Sequence, residues 1–367
     1  MLSIFRSLFT LLSLLILGVA AYLLWTWYQG DLRRDAEGVL RLRREDWRLW
    51  SGLALTAWSF LGRYAMLLLL AGRDRDPSRR RRGNGRMIAS ATGASLYVEE
   101  HGPANGQPII LTHGWSMDST IWHYAKRDLA KNFRVVVWDL PGLGRSKRSS
   151  APVSLSGYAQ DLKSVMNLTG GRPILAGHSI GGMIMQTLAR DDPDFFNSRI
   201  ASAVLMNTTY TNPLRTMILS RLLQALRKPV LVPMMYLEIW LQPLVWLFRW
   251  QSYLSGSSHV AARLGFGKYV TRSQLDHVAL LMTRNPPAVV ARGDLAMIRW
   301  DATTALPTIR VPVTVVGADG DLITKLEASK TISDAIIGAR LEVISGANHM
   351  GPVEAASSYN RLIAGAA

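Results

Sequence analysis

From residue 87 to the C-terminus, short apolar runs alternate with segments in which the apolar residues recur at helical spacing. Two short runs, Met87–Ala91 and Ser95–Glu99, flank Gly93 and predict an antiparallel start to a sheet. Six further runs are typical of buried parallel strands, namely Pro108–Thr112, Arg134–Trp138, Pro173–Ala176, Ile200–Met206, Pro312–Val316 and Arg340–Ile344. The helical segments between them are Thr120–Lys131, Leu155–Leu168, Gly181–Arg190, Lys325–Ile336 and Val353–Ile363. This alternation predicts the α/β fold class, with a doubly wound, mostly parallel sheet that helices cover on both faces.

One gap interrupts the alternation, because about 100 residues separate the strand that ends near Met206 from the one that begins at Pro312. We expect a helical cap insertion at about 208–305, above the carboxyl ends of the strands, where open α/β sheets bind ligands. Its first half is rich in aromatic residues and Met over Pro229–Tyr253. Two interpretations follow: an ordinary helical cap with its own core, or an apolar roof that binds an acyl chain and dips into a membrane surface.

The N-terminal part contains two long apolar stretches. The first, Ser7 to Gly30, holds no charged residue and exceeds the about 20 residues that a helix needs to cross the hydrocarbon core. Because only Arg6 precedes it and the apolar run is long, a membrane anchor is favoured over a cleaved signal peptide. The second stretch, residues 49–72, is interrupted by Arg63 and either spans the membrane or lies in its interface. We therefore predict that residues 1–72 form a membrane anchor of one or two helices.

The net charge of the chain is +16, and half of it lies in residues 1–86. Residues 73–86 carry seven Arg and two Asp among Pro, Ser and Gly, which predicts a solvated basic linker before a globular domain at 87–367. No nucleic-acid-binding signature accompanies this run, and beside an apolar segment it favours anionic lipid headgroups. More Arg flank the two apolar stretches on the outside than lie between them, so the globular domain is predicted to be cytoplasmic.

Candidate chemistry centres on Ser179, which stands between Gly177 and Gly181 where a predicted strand ends and a helix begins. A tight strand-to-helix turn needs glycines around its central residue, and it lifts a Ser hydroxyl clear of the sheet. The plainer interpretation is a glycine-rich turn with a capping Ser. We predict that Ser179 is a nucleophile.

A serine nucleophile needs a neighbouring base, and the base needs an acid that orients it. Of the seven His residues, His349 lies in a loop directly after the last predicted strand and is the candidate base. Two acids, Asp319 and Asp321, follow the strand Pro312–Val316. Asp321 is preferred because Asp-Leu-Ile-Thr leads into a helix. Asp319 is the alternative acid; if Asp321 is the acid, Asp319 is expected to cap the turn.

A tetrahedral intermediate also requires donors for its oxyanion. The backbone N–H groups of Ile180, directly after the nucleophile, and of Trp115, in the loop after the third strand, are the candidates. His113 is expected to brace its loop, and the turn should point the side chain of His178 away from the nucleophile. The chain has no Cys, which excludes disulfides and a Cys nucleophile. No metal-ligand cluster or phosphate-cradling loop stands out, so neither a metal nor a cofactor is predicted.

These motifs together resemble the α/β-hydrolase family, in the branch of small esterases, lipases and cofactor-free haloperoxidases. The matching elements are His113-Gly114-Trp115, Asp139 to Ser146, the turn at Ser179, the acid turn, and Gly346-Ala347-Asn348-His349. Epoxide hydrolases and dehalogenases are similar but carry Asp where this chain has Ser179. The acid turn departs from the pattern, since Gly320 occupies the usual place of the Asp, with an Asp on either side.

The resemblance implies a membrane-associated serine hydrolase that cleaves a hydrophobic carboxylic ester, lactone or lipid through an acyl-enzyme. Its expected partners are a small apolar substrate and a membrane, not nucleic acid. One alternative keeps the site but transfers the acyl group to peroxide, as a perhydrolase or haloperoxidase does. Another is a non-catalytic hydrolase-fold protein that binds an apolar ligand, which is disfavoured because every catalytic part is present.

Overall fold

The computed structural model describes residues 2–367, with side chains from residue 6 onward. The strands of this range are β1 (Asp31–Arg34), β2 (Leu40–Arg43), β3 (Arg86–Ala89), β4 (Ser95–His101), β5 (Pro108–Thr112), β6 (Arg134–Trp138), β7 (Ile174–His178), β8 (Ser202–Met206), β9 (Val313–Ala318) and β10 (Arg340–Ile344). Strands β1 and β2 form a separate hairpin, and the other eight form one sheet in the order β10-β9-β8-β7-β5-β6-β4-β3. Strands β5 to β10 run parallel, while β4 is antiparallel to β6 and to β3. The predicted fold class, a mostly parallel sheet with an antiparallel start, is confirmed.

The helices are α1 (Leu2–Gln29), α2 (Asp46–Leu70), α3 (His123–Leu129), α4 (Leu155–Met166), α5 (Ile180–Asp191), α6 (Pro193–Arg199), α7 (Pro213–Thr216), α8 (Ser220–Leu226), α9 (Val232–Trp240), α10 (Gln242–Leu254), α11 (Ser257–Arg263), α12 (Arg272–Arg284), α13 (Pro287–Met297), α14 (Leu326–Ala335), α15 (Gly351–Glu354) and α16 (Ala356–Ala364). Shorter turns of 3₁₀ type lie at Ser119–Trp122 and Thr303–Thr308, and a π turn lies at Arg227–Leu231. The predicted helix over 120–131 is thus split into a 3₁₀ turn and α3, and that over 353–363 into α15 and α16.

Successive strand residues point to opposite faces of the main sheet, so each strand contributes to two cores. Ile110, Val136 and Leu175 lie in one buried cluster with residues of α4, α5 and α14. Their neighbours Ile109 and Val135 lie in the other cluster, with residues of α3, α12 and α16. Burial on both faces explains why these strands read as continuous apolar runs in the sequence.

Helices α7 to α13 fill the long gap between β8 and β9. A third buried cluster joins α7, α8, α9 and α13, and it includes Leu214, Met235 and Leu295. Helix α12 instead packs on one face of the main sheet, where Leu275 and Val278 are fully buried. The insertion therefore covers both the carboxyl ends of the strands and part of one face of the main sheet.

Helices α1 and α2 pack against each other as an antiparallel hairpin that β1 and β2 close at its tip. A side chain added at Gly52 would come within 2.8 Å of Leu24, so the glycine permits close packing of the two helices. The hairpin also touches the cap, since the Ser13 hydroxyl donates to Gln251 Oε1 (2.6 Å) and lies 2.7 Å from Ser255 Oγ. Both helices are long and apolar enough to cross a membrane.

The basic segment at 73–86 is docked on the globular domain, which corrects the expectation that it is solvated throughout. The Arg82 guanidinium pairs with Asp118 (2.6 Å) and with the fully buried Asp139 (2.8 Å). Arg80 pairs with Asp276 at the surface (3.3 Å). The sequence pattern cannot show such partners, because Asp118 and Asp139 are brought to Arg82 by the fold.

Candidate active site

Ser179 stands at the turn between β7 and α5, in a backbone conformation that few residues adopt (φ 54°, ψ −116°). The turn is crowded: a Cβ on Gly177 would lie 2.5 Å from the carbonyl carbon of Gly181, and one on Gly182 would lie 2.7 Å from Thr208 Oγ1. Glycine is therefore required on both sides of Ser179. The Thr208 hydroxyl donates to the Ser179 carbonyl oxygen (2.7 Å), which helps to hold the turn.

The structure brings Ser179, His349 and Asp321 together although they are far apart in the sequence. The Ser179 hydroxyl donates to Nε2 of His349 (3.1 Å), and Nδ1 of His349 donates to Oδ2 of Asp321 (3.1 Å). Asp321 and His349 are almost fully buried. This chain of two hydrogen bonds is the geometry in which a base takes the proton of a serine hydroxyl and an acid orients that base.

Asp321 accepts hydrogen bonds at both of its carboxylate oxygens. The backbone N–H groups of Ile323 and Thr324 donate to Oδ1 (both 2.8 Å), and the Thr324 hydroxyl (2.8 Å) and Asn207 amide (2.9 Å) donate to Oδ2. Burial by itself raises the pKa of Asp321, but the interaction with His349 and these hydrogen bonds lower it below its usual value. Asp321 is therefore a carboxylate beside the imidazole.

The other acid of the turn, Asp319, is exposed and does not contact His349. It accepts hydrogen bonds from the backbone N–H of Gly346 (2.7 Å) and the hydroxyl of Ser345 (2.9 Å), and these bonds lower its pKa. Asp319 thus ties the acid turn to the loop that carries His349, while Asp321 faces the imidazole.

Two further histidines brace the loops around Ser179, and a bracing role was expected for His113 only. Nε2 of His113 accepts from the backbone N–H of Leu140 (3.0 Å), and its Nδ1 donates to the Gly114 carbonyl (2.8 Å). The imidazole of His178 donates to the backbone carbonyl of His349 (2.8 Å), so it holds the loop of the candidate base. Burial and the neighbouring His349 lower the pKa of His178 to about 3, which keeps it neutral.

The loop after β5 lies against the nucleophile turn. A side chain at Gly114 would come within 2.6 Å of the His178 ring and 3.6 Å of Ser179 Cβ, so this glycine permits the close approach. Trp115 follows it, and Ile180 is the first residue of α5, where backbone N–H groups have no partner within the helix. The two candidate oxyanion donors thus lie at the start of α5 and on the loop after β5, on either side of Ser179.

A narrow pocket of about 40 Å³ opens onto Ser179 and His349. Its walls are mostly apolar, and five of its lining residues are Met117, Met183, Met282, Met297 and Met350. Methionine side chains are flexible and fit ligands of varied shape. In the range 2–367 no group of three or more His, Asp or Glu side chains is arranged to hold a metal.

Sequence reasoning missed two residues of this region. Asn207 lies directly after β8 in a left-handed conformation (φ 45°) and contacts Asp321; a polar residue at the carboxyl end of a buried strand is the signal that points to it. Arg6, at the start of α1, lines the pocket beside Met282 and is almost fully buried. No sequence signal locates Arg6 there, because its position depends on how α1 packs on the cap.

The fold and the Ser-His-Asp arrangement define the chain as a hydrolase. The model of the family described as "alpha/beta hydrolase fold" matches residues 107–356. The chain belongs to the α/β-hydrolase fold family, as the motifs predict.

Individual relatives agree with this assignment. The chain is 26% identical over 282 residues to RutD of Caulobacter sp. (strain K31), which carries the name of a carbamate hydrolase; the match covers 75% of this chain and 97% of that protein. It is 34% identical over 119 residues to a pimeloyl-[acyl-carrier protein] methyl ester esterase of Nitrosospira multiformis, covering 31% of this chain and 43% of that one. An esterase structure from Exiguobacterium antarcticum superimposes with a TM-score of 0.62 at 19% identity, covering 77% of this chain and 98% of that one.

Proposed function

We propose that the protein is a membrane-associated serine hydrolase that cleaves hydrophobic carboxylic esters, lactones or lipids. The observation that carries this proposal is the hydrogen-bonded series Ser179, His349 and Asp321 at the base of an apolar pocket. A relative is named as a methyl ester esterase, which supports ester cleavage. The apolar lining favours a substrate with an apolar acyl group.

The catalytic cycle follows from the positions of these groups. Ser179 Oγ attacks the ester carbonyl carbon while His349 Nε2 takes the hydroxyl proton, and the Asp321 carboxylate stabilises the imidazolium. The backbone N–H groups of Trp115 and Ile180 hold the oxyanion. The imidazolium then protonates the leaving alcohol as the carbon–oxygen bond breaks, and water repeats the sequence on the acyl-enzyme.

Two measurements test the hydrolase proposal. The purified full-length protein should react with a fluorophosphonate probe, and Ser179→Ala should abolish the labelling because it removes the nucleophile. A panel of p-nitrophenyl esters of rising chain length should show preference for octanoyl over acetyl esters. Failure of the wild-type protein to label while a control esterase reacts would contradict the proposal.

The N-terminal hairpin is proposed to anchor the enzyme in a membrane through two spans, α1 and α2. Many of its apolar side chains are exposed, among them Leu12, Leu15, Trp25 and Trp50. Both ends of the hairpin lie at the globular domain: Arg6 contacts Met282 (2.8 Å), and the end of α2 leads into the docked basic segment. This arrangement supports two crossings, with the charged tip between β1 and β2 on the far side.

The Arg distribution around the two spans supports a cytoplasmic catalytic domain. Cells that express the full-length protein with a tag at its C-terminus test this orientation. Protease added to spheroplasts should leave the tag intact and should cut it only after lysis. Digestion of the tag in intact spheroplasts would place the domain on the outer side.

Acyl transfer to peroxide is a second candidate for the same site. A non-heme chloroperoxidase of Streptomyces lividans is 30% identical over 125 residues, covering 33% of this chain and 43% of that protein. Peroxide takes the place of water as the attacking group in the second half of the cycle. With acetate, peroxide and bromide, the peracid formed would oxidise bromide to hypobromite; bromination of monochlorodimedone that is absent from Ser179→Ala would support this activity.

A further inference from the structure

We propose that a groove between α1 and the cap helices α9 and α10 binds the acyl chain of a lipid ester and admits it from the membrane to Ser179. The inference rests on the proposed function and names where the apolar part of its substrate lies. It makes the N-terminal helix a wall of the substrate site in addition to an anchor.

The catalytic pocket by itself is too small for such a chain. Its volume is about 40 Å³, against about 170 Å³ for a second cavity beside α1. An ester whose carbonyl carbon lies at Ser179 therefore has to extend its acyl chain beyond this pocket.

A second cavity, of about 170 Å³, provides that space. One wall is formed by Thr10 and Leu14 of α1, and the other by Met234, Val245 and Phe248 of α9 and α10. The surface that these walls present is mostly apolar, which suits a hydrocarbon chain, and the ion pair of Arg249 and Glu238 (2.8 Å) lies behind it.

The second cavity also lies at the surface that the proposed anchor presents to lipid. Leu11 of α1 and Leu237 of α9 line it while 65% and 51% of their side chains are exposed. Trp240, at the sharp bend between α9 and α10, is 76% exposed. Exposed apolar residues on two adjoining elements mark a membrane contact, so the groove opens where acyl chains are abundant.

Arg6 lies between the two cavities, because it lines both of them. Its Nη1 donates to the backbone carbonyl of Met282 (2.8 Å), which fixes the guanidinium at the inner end of the groove. Its Nη2 is buried and has no hydrogen-bond partner among the described residues. A buried donor without an acceptor is costly, and an oxygen atom of the bound ester supplies that acceptor as the chain passes from groove to pocket.

The test fills the groove from each side in the full-length protein, with Thr10→Phe in α1 and Val245→Phe in α10. Leu12→Phe is the matched control, since Leu12 lies on the same helix but is half exposed and outside the groove. Hydrolysis of p-nitrophenyl acetate in solution and of p-nitrophenyl dodecanoate in phosphatidylcholine vesicles is compared. Both groove variants should lose about tenfold or more in kcat/KM on the dodecanoate and stay within about twofold on the acetate. Parallel losses on both esters, or no loss on either, would overturn the proposal.

A binding measurement separates this inference from the hydrolase proposal. In the Ser179→Ala protein, a dodecanoate ester with a diazirine at the end of its chain should label peptides from α9 and α10, and the added Thr10→Phe change should abolish that labelling. Labelling of these peptides by a protein that hydrolyses no ester would support the groove and reject the enzyme. Ester hydrolysis without labelling of these peptides would support the hydrolase proposal and reject the groove.

Discussion

The side-chain amide of Asn207 donates to Oδ2 of Asp321 (2.9 Å), the same oxygen that accepts the imidazole N–H of His349. The carbonyl oxygen of that amide accepts from the Tyr359 hydroxyl (2.6 Å), so the orientation of the amide is fixed. Asn207 thus holds the carboxylate in place from the end of a different strand. It is a positioning residue for the proposed acid.

Asn207→Asp should weaken catalysis without removing any of the three proposed catalytic groups. The change replaces a donor with a second buried carboxylate, which raises the pKa of Asp321 and disfavours its charged form. We expect about a tenfold loss in kcat, with the acidic limb of the pH–rate profile moved to higher pH. An unchanged profile with reduced protein stability would indicate a purely structural role.

The two acids of the turn should differ sharply in their effect on catalysis. Asp321→Asn removes the charge that stabilises the imidazolium and should lower kcat by up to about 10⁴-fold, as loss of the acid does in other triads. Asp319→Asn is the matched change, and it should alter kcat by less than about threefold because Asp319 contacts backbone and Ser345 only. Equal losses in ester hydrolysis by the two variants would mean that neither acid has the proposed role.

Arg82 should contribute to the stability of the globular domain. Arg82→Ala leaves the buried carboxylates of Asp118 and Asp139 without their cation, which costs about 3–5 kcal/mol in the free energy of unfolding. Arg79→Ala in the same segment removes an exposed charge and should change the free energy of unfolding by less than about 0.5 kcal/mol. Urea unfolding in detergent measures both, and similar values for the two variants would show that the segment is only a linker.

The stability of the domain should fall as the pH is lowered from about 6.5 to about 4, partly because of His277. This imidazole hydrogen-bonds the hydroxyls of Ser78 (2.9 Å) and Thr120 (3.0 Å), and burial lowers its pKa from 6.5 to about 4. The unfolded chain binds a proton at His277 in this window and the folded chain does not, so unfolding is favoured as the pH falls.

His277→Gln should flatten the pH dependence of stability between pH 6.5 and 4, because the amide keeps polar contacts but does not titrate. It should also lower stability at pH 7, since it replaces a buried imidazole that is hydrogen-bonded at both nitrogens. Thermal unfolding at several pH values measures the slope. A variant with the same slope as the wild-type protein would show that other groups cause the acid sensitivity. His123→Gln is a comparison: burial lowers the pKa of His123 as well, but His123 is only partly buried, so this change should flatten the slope less.

Much of the fold could be predicted because its signals are local. The strands β5 and β6 begin and end where their apolar runs do, since burial on both sheet faces selects such runs. The edge strand β10 also has the predicted bounds, although none of its residues is fully buried. The predicted run Ile200–Met206 was longer than β8, which begins at Ser202. The short hairpin of β1 and β2 was missed because its residues are mostly charged and exposed.

The sequence by itself determined the nucleophile turn, since the glycines around Ser179 are a local requirement of a tight strand-to-helix connection. It also limited the candidates for the acid that orients His349 to Asp319 and Asp321. Only the tertiary structure placed Asp321 against His349, because that contact depends on how two loops from separate strands meet. The same holds for Asn207 and Arg6, whose contacts join segments far apart in the chain and leave no trace in local composition.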